Sequence, residues 1–283
     1  MKSSQNKNWP DYGWLGILLM LVFWTLNWHL SGFRTHWGFF PMWLGYILTV
    51  DAWVFMRRGS SLFSRSLGKF ILLFVISAPC WWLFELINER TLYWFYLGRD
   101  HFTDLEYFLL ASISFSTVIP AVFETTELFA SFKWLKKING GPRISANPII
   151  IVFFFILGWL MLGLVLLWPE YFPYFVWMSL YLITEPINVR LQNPSLVQYT
   201  ANKDWRPVIA LFFGSLICGF FWEMWNYYSF PKWIYKIPYF EYGYIFEMPA
   251  WGYLGYLPFA LELFALYHLI TGFWNKRDNY FQI

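Results

Sequence analysis

Eight stretches of this chain are apolar over the length that a bilayer crossing requires, roughly 20 residues. They limit what it can fold into more than any other feature. The stretches are Tyr12–Leu30, Gly38–Met56, Phe70–Asn88, Glu106–Ser131, Pro148–Trp168, Phe172–Val189, Pro207–Tyr228 and Ala250–Thr271. Backbone amides and carbonyls cannot stay unpaired in lipid, and the runs are far longer than barrel strands. The expected fold class is therefore all-α integral membrane, with about eight transmembrane helices. Composition agrees: 13% of the residues are charged, against about 25% in a soluble domain. Aromatics make up 25%, with 20 Trp and 19 Tyr, residues that favour the membrane–water boundary.

The connections set an orientation. Arg57, Arg58, Arg65 and Lys69 follow the second stretch, and Lys133, Lys136, Lys137 and Arg143 the fourth. Arg190, Lys203 and Arg206 follow the sixth, and Lys276 and Arg277 the eighth. With Lys2 and Lys7, 15 of the 20 basic residues fall on one side. Cytoplasmic loops carry the excess of Lys and Arg, so both termini are expected to be cytoplasmic. The polar start has no small-residue cleavage site behind it, so the first stretch is read as a retained span. Lys133–Asn147 is the clear linker, with Gly140, Gly141 and Pro142 breaking any helix. It divides the chain into a first four-helix membrane repeat, 1–140, and a second, 141–283. An even number of spans per unit gives both units the same orientation, a parallel-topology repeat.

The units match at chemically unusual positions. Cys80–Asn88, CWWLFELIN, returns as Cys218–Asn226, CGFFWEMWN, at an offset of 138. Glu85 pairs with Glu223, Asn88 with Asn226, Pro120 with Pro258 and Glu124 with Glu262 at that offset. Trp94 and Tyr96 match Trp233 and Tyr235 at 139, and Asp51 matches Glu185 at 134. An ionised acid in the middle of an isolated span costs at least about 2.5 kcal/mol, so six acids are expected to face inward and meet partners. Glu85 and Asn88 share a helix face, where the amide can donate to the acid or to a ligand between them. Each proline deprives the carbonyl four residues earlier, of Ser116 or Leu254, of its helical donor. Glu127, one turn beyond Glu124, is read as an interfacial partner of Lys133.

Acids near helix ends also bind water or cap loops, and that structural role competes with a catalytic one for all of them. The loops carrying Trp94, Tyr96, Trp233 and Tyr235 have two readings as well. They form an aromatic belt at the headgroups, or they fold over the bundle mouth and line the way in to the acids.

Several chemistries lack their residues. No Lys lies inside a span to form a Schiff base, and the four histidines are too scattered for a haem or di-iron site. There is no phosphate loop, dinucleotide fingerprint or nucleophile elbow. The two cysteines lie in apolar segments and read as small buried hydrophobes. No basic cluster is interleaved with aromatics outside the spans, so no nucleic-acid partner is expected. The expectation is no cofactor and no metal.

Each unit runs acid, then Trp-x-Tyr, then a proline followed by Glu: Glu85, Trp94-Phe-Tyr96, Pro120 and Glu124, then Glu223, Trp233-Ile-Tyr235, Pro258 and Glu262. In this the chain resembles the small-subunit and fused-type lycopene cyclases, repeated helical membrane proteins. In their Pro-x-Glu-Glu motif two acids follow the proline closely, whereas here a single acid falls four residues after it. With FFPMWLGYILTVDAWV near its start, the chain also resembles uncharacterised bacterial multi-pass membrane proteins. The cyclase resemblance implies protonation of a carotene end without a redox cofactor.

These readings lead to an expected function: an acid-lined intramembrane pocket for an isoprenoid or lipid, working by carboxylate acid catalysis in the cell (inner) membrane. Glu124 and Glu262 are the expected proton donors. Glu85 and Glu223, oriented by Asn88 and Asn226, would steady the resulting cation. Asp51, Glu185, Trp94, Tyr96, Trp233 and Tyr235 are the expected binding residues. Two alternatives stand beside it: a proton-coupled transporter or permeation protein, and a non-catalytic membrane subunit or scaffold with a membrane-protein partner.

Overall fold

The structure is a computed structural model, and it describes residues 8–30, 32–138, 140–239, 242–274 and 279–283. Lys2, Lys7, Lys276 and Arg277, which contribute to the expected orientation, lie outside the described residues. In chain order the elements are α1 (Asp11–His29), α2 (Phe39–Arg58), α3 (Leu62–Arg65), α4 (Leu67–Thr91) and β1 (Trp94–Leu97). Next come α5 (Asp104–Phe115), α6 (Val118–Ala130), α7 (Lys133–Lys136), α8 (Pro148–Leu167) and α9 (Val176–Leu191). The last are α10 (Leu196–Ala201), α11 (Arg206–Asn226), β2 (Lys232–Tyr235), β3 (Tyr244–Ile245), β4 (Met248–Pro249) and α12 (Tyr256–Thr271). Among the described residues the fold is all-α apart from two short two-stranded ribbons.

Among the described residues, six helical segments are long and apolar enough to cross a membrane: Phe39–Arg58, Leu67–Thr91, Asp104–Ala130, Pro148–Leu167, Arg206–Asn226 and Ala250–Thr271. The other two expected spans are also helices, α1 and α9. The 16 residues of α9 reach only about 24 Å at 1.5 Å per residue, short of a hydrocarbon core of about 30 Å. Tryptophans, Asn27 and His29 lower the hydropathy of α1. Large apolar side chains face outward along whole helices: Ile149, Val152, Ile156 and Leu160 of α8 are each more than half exposed. A water-soluble fold does not tolerate such a face, whereas lipid does.

Both prolines sit at the third residue of a helix that follows a break. Pro120 follows the junction between α5 and α6, and Pro258 follows the 3-10 turn Ala250–Gly255 that leads into α12. Ser77 of α4 bridges the first junction: its hydroxyl donates to the Phe115 carbonyl (2.6 Å) and accepts from the Ile119 amide (3.0 Å). The hydroxyl thus stands between the Phe115 carbonyl and the Ile119 amide, the pair that one continuous helix would have bonded directly.

The same helix pairs recur along the chain. α1 packs on α2 as α8 packs on α9, and α2 lies on α6 as α9 lies on α12. α6 and α11 form the main contact between the N- and C-terminal halves. There Gly214 lets the backbones close, since a Cβ at that position would stand 2.9 Å from the Thr126 amide nitrogen. Trp43 of α2 packs against Trp222 of α11 (5.1 Å between ring centroids), and Trp177 of α9 packs against Phe84 of α4 (5.8 Å). Trp177 follows Trp43 by 134 positions and Trp222 follows Phe84 by 138, so corresponding residues meet across the centre. Finally, β1 pairs antiparallel with β2, in the register Trp94↔Tyr235, Phe95↔Ile234 and Tyr96↔Trp233.

Candidate functional site: two carboxyls behind an aromatic cavity

Glu85 lies in the last third of α4, where the chain is about to leave the apolar zone. Its Oε1 accepts from Trp81 Nε1 (2.9 Å), Trp94 Nε1 (3.1 Å) and the Tyr96 hydroxyl (2.5 Å). Trp81 reaches it because residues four apart lie on one helix face; Trp94 and Tyr96 reach it together because alternate strand residues share a face.

Glu223 is built alike but for one exchange. Its Oε1 accepts from the hydroxyls of Tyr235 (2.7 Å) and Tyr256 (2.8 Å), and Trp233 Nε1 donates to the Tyr235 oxygen (2.9 Å). Glycine occupies position 219, the counterpart of Trp81, and tyrosine occupies 256, the counterpart of Val118. A Cβ on Gly219 would lie 2.8 Å from Cγ of Tyr256. The ring lost from α11 is thus replaced by one from α12, which enters the space the glycine leaves. Glu223 is fully buried, and its Oε2 has no hydrogen-bond partner.

The asparagines do something other than expected. Asn88 Oδ1 accepts from the amides of Tyr93 (2.9 Å) and Trp94 (3.2 Å), and its Nδ2 donates to the Trp94 carbonyl (2.9 Å). Asn226 Oδ1 accepts from the Trp233 amide (2.9 Å), and its Nδ2 donates to the Trp233 carbonyl (2.7 Å). Both side chains clamp the start of a strand and present nothing to the acids. They fix the tryptophan whose ring belongs to the glutamate site, so their role is positioning. In the ribbon, burial and then the neighbouring carboxylate hold the Tyr96 and Tyr235 phenols well above their ordinary value of 10.0. Both remain hydroxyl donors.

Trp94, Tyr96, Trp233 and Tyr235 help to wall a cavity of about 120 Å³ between the two halves. Trp81, Trp222 and Tyr256 belong to the same wall, with Phe39, Phe102 and Phe115. A smaller cavity of about 40 Å³ lies on the other side of Trp81, Trp94, Tyr235 and Tyr256. The polar tips of these rings point to Glu85 and Glu223, which sit one side chain behind the wall. Trp81, Trp177, Trp222 and Tyr256 escaped sequence reasoning. Trp81 stood one turn before a marked acid, and that spacing was the available signal.

The other acids lie elsewhere. Asp51 accepts from the Tyr12 hydroxyl (2.6 Å), the Ser61 hydroxyl (2.7 Å) and the Phe63 amide (2.8 Å) at the start of α3. Glu185 accepts from the Val197 amide (2.8 Å) at the start of α10. Each acid thus caps a short helix that begins at a serine, Ser61 or Ser195, ten residues downstream, a match the sequence carried at the 134 offset. Glu124 is fully buried beside Asp51 and Glu127, with both oxygens lacking a hydrogen-bond donor. Glu262 is equally buried, its carboxyl set against the backbone of Leu180 and Tyr181. Neither lines the aromatic cavity. Glu127 does not meet Lys133. It pairs with Arg65 and, at 3.7 Å, with Arg58, and accepts from the Gln282 amide (2.8 Å). The long reach of Arg65 across from α3 and the returning C-terminal residues displace the nearer lysine.

No protein-family model, curated protein or solved structure matches this chain. The functional reading accordingly rests on the chemistry of the site.

Proposed function

We propose that the chain is a multi-pass protein of the cell membrane, built of two parallel-topology units of four helical segments with both termini cytoplasmic. Its aromatic cavity takes one end of an isoprenoid or lipid and protonates it without a cofactor. The observation that carries this reading is that corresponding glutamates of the two units, Glu85 and Glu223, back onto one cavity through Tyr96 and Tyr235. A carboxyl held out of water and hydrogen-bonded to a phenol is a proton source for a double bond lying against that phenol, whose hydroxyl passes its proton on and is recharged by the acid. The aromatic rings then steady the positive charge, and proton loss from the adjacent carbon returns the carboxyl to its starting state. In this reading the donor role passes from Glu124 and Glu262 to Glu85 and Glu223, because only the latter pair communicates with the cavity. The likeness to lycopene cyclases supports the substrate class.

Expression in a lycopene-accumulating host tests the proposal. The native chain should shift the pigment spectrum, and Glu85→Gln with Glu223→Gln should abolish the shift. Unchanged pigment from a well-expressed native chain would remove the cyclase assignment. A second reading, a proton-coupled carrier, is favoured by the separate acid group Asp51, Glu124 and Glu127 on the α3 side. That reading requires proton flux in proteoliposomes that Glu124→Gln reduces.

A further inference from the structure

We infer that the aromatic cavity is a cation site, fitted to a methylated ammonium or an equally soft cation at the end of an amphipathic molecule. The inference rests on the cavity being the ligand site and adds the charge of what enters it. Three observations carry it.

The first is the wall. The polar tips of Trp81, Trp94, Tyr96, Trp233, Tyr235 and Tyr256 are all taken up by Glu85, by Glu223 or by one another. What these six offer a ligand is their ring bodies, whose π-faces are electron-rich and attract cations. Aromatic cages of this kind are the usual receptors for quaternary ammonium groups.

The second is the sign of the charge behind the wall. Two carboxyls stand there as hydrogen-bond acceptors, so any charge they carry is negative. No Lys or Arg is among the described residues that line the cavity. His36 is on the wall, and Arg99 lies over the ring of the lining residue Tyr107 at 4.2 Å and is itself paired with Asp104. An anion would meet no Lys or Arg side chain among the described residues of the wall.

The third is size. A cavity of about 120 Å³ is well below the roughly 300–1,000 Å³ of sites that enclose a drug-sized ligand. It accommodates an end group and leaves the rest of the molecule outside. A compact cation with low hydration suits it, whereas a strongly hydrated ammonium would give up too much water on entering. Two sources offer such a cation: the choline headgroup of a lipid, and the carbocation formed on an isoprenoid in the reaction proposed above.

The experiment is a calorimetric titration of the full chain in phosphatidylglycerol nanodiscs, which contain no choline. The probes are choline and its neutral isostere 3,3-dimethyl-1-butanol. Choline should bind saturably, with the isostere about ten-fold weaker or worse, the size expected of a desolvated cation–π site. Glu223→Gln should weaken choline about ten-fold and leave the isostere unchanged. Should that variant fail to fold, the discrimination by the native chain decides alone. Competition by phosphatidylcholine assigns the lipid source, and competition only by an ammonium-ended isoprenoid assigns the reaction cation. Equal binding of choline and isostere would overturn the cation assignment and leave a neutral hydrophobic ligand standing. No binding of either would overturn it too, while the pigment assay reports on the catalytic reading independently.

Discussion

Tyr235 shows how much one hydroxyl can organise. It donates to Glu223 while accepting from Trp233, so a single oxygen links a strand to a membrane helix. Replacing it by phenylalanine leaves a buried indole N–H without its acceptor and withdraws one of the two donors from a buried carboxyl. A group stranded in this way costs about 1–3 kcal/mol. The variant Tyr235→Phe should therefore unfold at a lower temperature in detergent, with the loss scored against Tyr228→Phe, a change at an exposed ring. The phenols also give the fold an alkaline limit. Burial and the adjacent carboxylates raise the folded-state values of Tyr96 and Tyr235 above the ordinary 10.0. Below pH 10 both the folded and the unfolded phenol are protonated, and the contribution to stability is complete. As pH climbs past 10 the unfolded chain releases these protons and the folded chain does not, so stability falls. Unfolding midpoints measured from pH 8 to 11 should stay level and then drop at the alkaline end. Tyr96→Phe should soften that drop.

At the level of elements, the α5–α6 junction is the place to probe. Ser77 bridges the Phe115 carbonyl and the Ile119 amide across the break, and its counterpart Ser215 has no hydrogen-bond partner among the described residues. Ser77→Ala should destabilise by about 1–2 kcal/mol, and Ser215→Ala by much less, in parallel denaturation series. The existence of nearly every long helix was legible in the sequence, because apolar runs of that length have few other fates. The prolines marked the breaks, and the 138 offset tied Glu85 to Glu223 before any coordinates. What the sequence hid was the direction of each side chain. A membrane helix is apolar on all faces, so periodicity does not separate its lipid side from its packed side. Glu-x-x-Asn looked like one site because the two residues share a helix face, yet Asn88 reaches down the chain to the backbone at Trp94. The exchange of Trp81 for Tyr256 was hidden for a related reason: it moves a donor from one helix to another, and alignment by offset compares each position only with its own counterpart.

For the molecule as a whole, the β1–β2 ribbon joins two halves that also pack on each other, chiefly through α6 and α11. A pair of cysteines at facing positions, Phe95→Cys with Ile234→Cys, should close into a disulfide, since paired strands hold opposite Cα atoms about 4.5–5.5 Å apart. The native cysteines, Cys80 and Cys218, are both buried and should stay out of the reaction. Proteolysis at a site engineered into the Lys133–Asn147 linker would then release two fragments under reducing conditions and one band without reductant. Two bands in both would mean that the strands do not meet. The register has a further consequence. Trp94 faces Tyr235 and Tyr96 faces Trp233, so each strand sees in its partner its own pattern run backwards. An N-terminal unit expressed alone would display a bare edge whose best complement is a second molecule of the same kind, Phe95 against Phe95. Such a unit should assemble as a twofold homodimer around a symmetric copy of the aromatic chamber, and a sedimentation measurement in detergent would show it.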